Sequence, residues 1–187
     1  MPKIHVIVGS TRPGRVSEGI AKWALGIAQR LGLDAELVDL RDWPLPFYAE
    51  VGPPKMLGGQ YSTPVATKWA AKVKEADGYL IVTPEYNHGY PAVLKNALDY
   101  CYDEWNGKPV AFVSYGGVAA GTRSVGQLRQ VVAELQMFDL RDAVHIPFVN
   151  KAIDAAGAPQ DPGFTKAAEL TLAKLVAAAE MMKPSRP

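Results

Sequence analysis

The sequence predicts an α/β protein: a three-layer sandwich with a five-stranded parallel sheet of order 2-1-3-4-5 between two layers of helices. Three observations carry this. Short β-branched apolar runs alternate with longer segments of helical apolar spacing along the whole chain. Right-handed crossovers leave few layouts for such an alternation. Five strands favour this order over a six-stranded dinucleotide-binding sheet.

The elements follow in order. "KIHVIVGS" is β-branched and stopped by Gly9, so it reads as a buried strand. From Ser17 to about Leu31, apolar residues return at helical spacing, with Ile20, Trp23, Ala24, Ile27 and Leu31 on one face. "DAELVDL" is the second strand. Residues 41–63, rich in proline, glycine and aromatics, read as an extended loop. A loop of that length in a compact domain has a task, such as covering a site or forming an interface. "PVATKWAAKVKEA" is the next helix and "GYLIVT" the third strand. "PAVLKNALDYCYD" is a helix with Pro91 at its first turn. "PVAFVSY" is the fourth strand, followed by the helix "SVGQLRQVVAELQMF". "AVHIPFV" is the fifth strand, "PGFTKAAELTLAKLVAAAEMM" the closing amphipathic helix and "KPSRP" a frayed tail. With no repeat and no linker, residues 1–187 read as a single flavodoxin-like domain.

Composition narrows the function. A chain of 187 residues with 48% hydrophobic and 21% charged residues is ordinary for a globular protein. A net charge of +1 gives no broad field to attract nucleic acid or an anionic membrane. Cys101 is the single cysteine, so no intrachain disulfide forms and a reducing compartment fits. The N-terminus does not read as a signal peptide, and no run approaches the ~20 apolar residues of a membrane span. The expected location is cytoplasmic.

In an open parallel sheet, ligands bind beyond the carboxyl ends of the strands at the switch in strand order. Three unusual loops follow strands 1, 3 and 4, which meet there: residues 9–17, 83–91 and 114–124. The first, "GSTRPGRVS", nearly spells a triphosphate loop, but Arg15 and Val16 stand where Lys and Ser/Thr belong. It lacks the point charge for a γ-phosphate and the hydroxyl for Mg²⁺. It offers Ser10, Thr11 and Ser17 hydroxyls, Arg12 and Arg15, and the free amides of a helix N-terminus, which suit a single phosphate. As a plain βα turn it needs no ligand, with Ser17 as helix cap. The spacing is not that of a dinucleotide loop either, although Asp39 at the end of strand 2 could mimic a ribose-binding carboxylate. The second loop, "TPEYNHGYP", is rigid, aromatic and polar, as the border of a flat ring system would be. The third, "SYGGVAAGTR", has glycines that permit positive φ and close backbone approach.

These pieces resemble the NADPH-dependent FMN reductase family. The resemblance rests on Gly9-Ser10-Thr11-Arg12 through Ser17, on Pro84-Glu85-Tyr86-Asn87 with the helix near "PAVLKNALDY", and on the loop from Ser114 to Gly121. It spans about residues 3 to 150, and Arg-Val before Ser17 is closer to the quinone-reductase-like members than to azoreductases. The resemblance implies noncovalent FMN, with NADPH or NADH as electron donor. Ser10, Thr11, Arg12, Arg15, Val16 and Ser17 would surround its phosphate. Pro84, Glu85, Tyr86 and Asn87 would border its ring, and Ser114, Gly116 and Gly117 the pyrimidine side. No catalytic side chain and no metal are expected, because the flavin carries the chemistry. The acceptor would be a quinone, free flavin, azo compound or metal oxyanion.

Other conspicuous residues have plainer expectations. His5 and His145 read as core or edge residues, His88 as a loop residue within reach of substrate, and Cys101 as helix packing. Trp43 and Trp105 lie near loops and suggest an interface. The helix with Ala97, Leu98, Tyr100, Cys101 and Tyr102 is apolar on two sides, which predicts a homodimer or homotetramer. A one-electron flavodoxin carrier is the alternative. It fits less well, because such carriers are acidic and this loop holds two arginines. A phosphoryl receiver would need carboxylates where Gly9-Ser10 and Thr83-Pro84 stand.

Overall fold

The computed structural model describes residues 1–183; residues 184–187 of the expected tail lie outside them. The five strands are β1 (Lys3–Val8), β2 (Asp34–Asp39), β3 (Gly78–Pro84), β4 (Pro109–Tyr115) and β5 (Phe138–Ile146). All pair in parallel, in the order β2-β1-β3-β4-β5. This is the expected sheet. The helices are α1 (Ser17–Arg30), α2 (Pro54–Leu57), α3 (Pro64–Glu75), α4 (Ala92–Asp99), α5 (Thr122–Glu134), α6 (Val149–Ala152) and α7 (Pro162–Met182).

The sheet is buried on both faces, as parallel sheets are. β3 and β4 are buried at every position. Ile4, Val6 and Val8 of β1 face Ile20, Ala24 and Ile27 of α1 and Leu172 and Leu175 of α7. On the other face, Ile7, Ile81 and Phe112 pack against Trp69, Leu98 and Leu128 from α3, α4 and α5. Period-2 alternation in the strands and period-3.6 spacing in the helices produce the two cores.

Three boundaries differ from expectation. Leu31 lies just outside α1 and is exposed. α4 ends at Asp99 rather than near Asp103, so Cys101 sits beyond the helix, buried as a packing residue. The turn after it is fixed by Trp105, whose indole N–H donates to the Leu98 carbonyl at 3.1 Å. Trp105 is fully buried against Tyr79 and Trp69, and Trp43 packs tilted against Trp69 at 5.3 Å between centroids, so both belong to this chain's own packing. β5 starts five residues before Ala143, in the charged stretch Phe138–Asp142, where the pairing with β4 shifts between Val110 and Phe112. An edge strand leaves one side to solvent, so its polar residues imitate a loop.

The long loop contains α2 and is tied to α4. The Tyr48 amide donates to Asn96 Oδ1 at 2.9 Å, and Asn96 Nδ2 returns to the Pro46 carbonyl at 2.8 Å. Tyr48 and Tyr61 pack edge-on against Tyr100, with centroids 5.1 and 6.2 Å away. The second apolar side of the α4 region is therefore covered by residues 41–63 of the same chain. This removes the argument for oligomerisation drawn from that helix.

After β5 the chain makes α6 and a small hairpin closed by the Ile153–Pro159 bridge. Its tip rests on α1 at a contact that needs glycine on both sides. A Cβ on Gly19 would stand 2.4 Å from the Ala156 carbonyl oxygen, and one on Gly157 would stand 2.7 Å from Gly19 Cα.

Candidate functional site

The loops after β1, β3 and β4 meet at the carboxyl edge of the sheet, as expected. The first runs from Gly9, whose amide donates to the Val82 carbonyl at 2.8 Å, into α1. The helix is capped by Val16 with no side-chain hydrogen bond, so Ser17 is not the cap but the first helical residue. Ser17 Oγ is fully buried and has no hydrogen-bond partner among the described residues. The phenol of Tyr115 lies near it without reaching hydrogen-bond geometry, and burial pushes that hydroxyl up to about 12, keeping it a neutral donor. The amides of Val16, Ser17, Glu18 and Gly19 likewise find no acceptor among the described residues. An unpartnered buried hydroxyl beside four free helix N–H groups costs stability unless an acceptor arrives.

Arg12 and Arg15 part company. Arg12 is exposed and makes no ion pair among the described residues. Arg15 turns inward: its guanidinium forms a two-pronged ion pair with Asp39 and donates to the Ser10 carbonyl. Its side chain is only 1% exposed. The geometry gives Arg15 and Asp39 to each other, which leaves neither the phosphate nor the ribose role raised for them. Arg41 holds the same loop from outside, donating Nη2 to the Arg12 carbonyl at 2.9 Å. Two arginines behind the loop thus bind its carbonyls, Arg15 that of Ser10 and Arg41 that of Arg12. Thr11 is half-buried at the bend, and Ser10 is buried with Oγ 2.8 Å from the Tyr86 hydroxyl.

That Ser10–Tyr86 bond joins the first loop to the second. Pro84 ends β3, buried; after it, Tyr86 and Gly89 exchange two backbone hydrogen bonds of 2.8 and 3.0 Å. Asn87 and His88 between them have φ of 51° and 70°. Two consecutive positive φ values make a type I′ turn, which asparagine tolerates better than most residues. The turn presents Tyr86, Asn87 and His88 to solvent. Glu85 points the other way: its carboxylate, 7% exposed, pairs with Arg123 of α5 at 2.5–2.6 Å. Glu85 and Arg123 thus lock the second loop to the third.

In the third loop, Ser114 differs from expectation. It is fully buried, with Oγ hydrogen-bonded to the Ala120 carbonyl at 2.8 Å and to His145 Nδ1 at 2.6 Å, so it supports the loop from beneath. Gly116 and Gly117 are the outer residues. Their carbonyls accept from the amides of Val149 and Phe148, each at 3.0 Å.

The residues present fit a flavin monophosphate. One phosphate is matched by the Ser17 hydroxyl, the free amides of α1 and exposed Arg12. The type I′ turn and the glycine limb flank it on adjacent strands, where a ring would lie. The sequence reading missed Asp39, Arg41, Arg123 and His145 as supports, because each acts on a loop 24 to 38 positions away or through another side chain.

Elsewhere, ligand atoms of His5, Glu36 and Glu75 come within 4.8 Å of one another. Lys3 and Lys72 already bind both carboxylates, so cations of the chain itself occupy that cluster.

Comparison with known proteins gives the family and the fold. The model of the NADPH-dependent FMN reductase family matches residues 2–151. An NAD(P)H-dependent FMN reductase of Schizosaccharomyces pombe is 47% identical over 137 residues, covering 73% of this chain and 68% of that protein. A 2-hydroxy-1,4-benzoquinone reductase of a Burkholderia species is 33% identical over 165 residues, covering 83% of this chain and 84% of the relative. In fold, the chain is similar to FerB, a flavoenzyme NAD(P)H:(acceptor) oxidoreductase of Paracoccus denitrificans. The TM-score is 0.77 at 23% identity, covering 97% of this chain and 99% of FerB. With that match over most of its length and three loops that meet at the switch in strand order, the chain belongs to the NADPH-dependent FMN reductase family.

Proposed function

We propose that this chain, acting as one domain over residues 1–187, binds FMN at the carboxyl edge and passes reducing equivalents from NADPH or NADH to a small acceptor. The acceptor class is a quinone, free flavin, azo compound or metal oxyanion. The observation that carries the reading is the buried Ser17 hydroxyl, left unpartnered beside the free amides of α1.

When bound, FMN supplies hydride acceptance and onward electron transfer. The chain supplies position. Ser17, the amides of residues 16–19 and Arg12 hold the phosphate, while Arg15 and Arg41 bind the loop's carbonyls. Pro84, Tyr86 and Asn87 border the ring on one side, and Gly116 and Gly117 on the other. Tyr86, Asn87, Gly117 and Val118 are exposed at this edge. One open face then serves donor and acceptor in turn, which gives ping-pong kinetics and tolerance of several acceptors.

The test is the visible spectrum of the purified protein, followed by anaerobic titration with each nicotinamide. Flavin bands that bleach on addition of NADPH or NADH support the reading. Nicotinamide oxidation that continues undiminished after FMN is stripped overturns it.

The homodimer or homotetramer now rests on a different surface: Phe47 at 81%, Val51 at 100% and Met56 at 81% exposure crowd the long loop. Monomeric light scattering at micromolar concentration would reject it. A cytoplasmic location is proposed on the single, buried, unpaired Cys101.

A further inference from the structure

The glycine-rich loop after β4 hangs on a hydrogen-bond chain that begins outside the site. Ser114 Oγ lies 2.8 Å from the Ala120 carbonyl oxygen and 2.6 Å from His145 Nδ1. A carbonyl can only accept, so the single hydroxyl proton of Ser114 goes to Ala120. That fixes the other bond: His145 Nδ1 carries the proton and donates it. The chain runs in one direction, from imidazole N–H to hydroxyl to carbonyl, and bonds so aligned polarise one another.

The acceptor end of this chain is an unusual backbone. Ala120 has φ of 54°, a left-handed conformation that a non-glycine residue keeps only when its surroundings hold it there. Gly121, with φ of 79°, lies directly on the serine: a Cβ there would stand 2.8 Å from Ser114 Cβ and 2.9 Å from the Tyr115 amide. The outer limb of the loop is hung from the same side, since the Phe148 and Val149 amides that hold Gly117 and Gly116 follow β5 directly. His145 is itself on β5, half-buried at the sheet edge. Its pKa is lowered by burial and by the charge of Arg129, which favours the neutral ring.

We propose that His145 is a positioning residue for the flavin: acting through Ser114, it fixes the Ala120 carbonyl and so the shape of the 116–121 loop, without touching the ligand. This rests on the FMN reading given above. It moves Ser114 from the ligand-contacting set to the supporting one, and it gives a task to a histidine that composition and spacing leave as an edge residue.

The experiment compares His145→Leu, His145→Asn and Ser114→Ala with the wild-type chain. Asparagine places an amide N–H close to the position of Nδ1, whereas leucine has no donor. Hydrogen exchange of the 116–121 amides is measured in the flavin-free protein, FMN affinity by flavin fluorescence, and the thermal midpoint alongside. The expected result is that H145L speeds exchange in 116–121 and weakens FMN binding about tenfold, the scale of one hydrogen bond to a strained loop. H145N restores most of both, and adding H145L to S114A changes neither further. The proposal is overturned if H145L lowers the midpoint while exchange and affinity stay unchanged, or if H145N does no better than H145L. Should H145L fail to fold, S114A, which removes a single hydroxyl, carries the same expectations. The exchange arm needs no flavin, so the two ideas separate. A wild-type chain that binds no FMN removes the function and the proposal together. Normal FMN binding with unchanged exchange removes the proposal alone.

Discussion

The two edges of the sheet offer opposite signals. At the amino edge lies a depression of about 690 Å³, lined by Lys55, Lys74, Asp77, Glu104, Asn106 and Lys108. By volume it is the natural candidate for a ligand site. Its polar groups, however, are largely engaged within the chain. Lys108 Nζ donates to the Val73 and Lys74 carbonyls that end α3, at 3.1 and 3.2 Å. Asn106 donates to the Tyr102 and Leu135 carbonyls, and Asp77 accepts from the Lys3 amide and Lys183. The carboxyl edge instead holds a buried hydroxyl and a row of helix amides with no partner among the described residues. Free hydrogen-bonding capacity, rather than empty space, distinguishes the edge that binds from the edge that stabilises.

Substitutions at the two edges should therefore separate binding from stability. The largest effect is expected at Asp39→Ala, which strips the buried Arg15 guanidinium of its two-pronged partner and leaves it only Glu18 Oε2 at 3.5 Å and the Ser10 carbonyl. Breaking such a pair costs about 3–5 kcal/mol, read as a fall in the denaturant midpoint, and FMN affinity should fall with it as the loop loosens. A D39A variant as stable as the wild type would mean that this ion pair does not brace the loop.

Ser17→Ala is the sharper probe. It should weaken FMN binding roughly tenfold to hundredfold, as the loss of a hydrogen bond to a charged group does. It should also leave the flavin-free protein as stable as before, or more so by about 1 kcal/mol, because an unsatisfied buried hydroxyl has been removed. Calorimetry with and without FMN checks both halves. Unaltered affinity would take the phosphate away from α1.

Acid should strain the amino edge first. Burial, aided by the charge of Lys72, pushes His5 down to about 4 from an ordinary 6.5. The unfolded chain then binds a proton that the folded chain refuses, so stability falls as pH drops from about 6.5 toward 4, by about 2 kcal/mol at pH 5. His145, also lowered, adds in the same direction. Glu36 belongs to a lower window: hydrogen bonds from Lys3 and Lys72 hold it at about 2, so its contribution is lost below pH 4.5. His5→Leu should flatten most of the slope between pH 7 and 5 in urea titrations. A slope that persists unchanged assigns it elsewhere.

The smallest effect is expected at Lys108→Met, which removes the cap from α3. A loss of about 1–2 kcal/mol should appear in the midpoint, with FMN affinity within twofold of wild type. A large loss of FMN binding would give the amino-edge depression a role in the site after all.

How much of this was legible follows from the range of the forces. β4 and α7 could be read residue for residue, since "PVAFVSY" and the 21-residue closing helix announce themselves by local periodicity. The convergence of three loops was legible too, because topology alone brings strands 1, 3 and 4 together. The start of β5 was not, because Asp139, Arg141 and Asp142 look like a loop until an edge position explains them. Nor was the division between Arg12 and Arg15. Both are arginines within four positions, and the difference comes from Asp39, at the end of another strand. Ser114 was legible as a loop residue, but its inward orientation depends on His145, 31 positions away.

The meeting of Gly19 and Gly157 has a consequence for how this chain can diverge. The two positions interlock so closely that neither can gain a methyl group while the 153–159 hairpin keeps its seat. Substitutions there must arrive together with a rerouted hairpin, or not at all. A hairpin transplanted from this protein into a relative bearing a side chain at the counterpart of Gly19 should be rejected by the recipient helix. Mutational libraries aimed at acceptor range can leave both glycines fixed and vary the exposed turn at Asn87 and His88 instead.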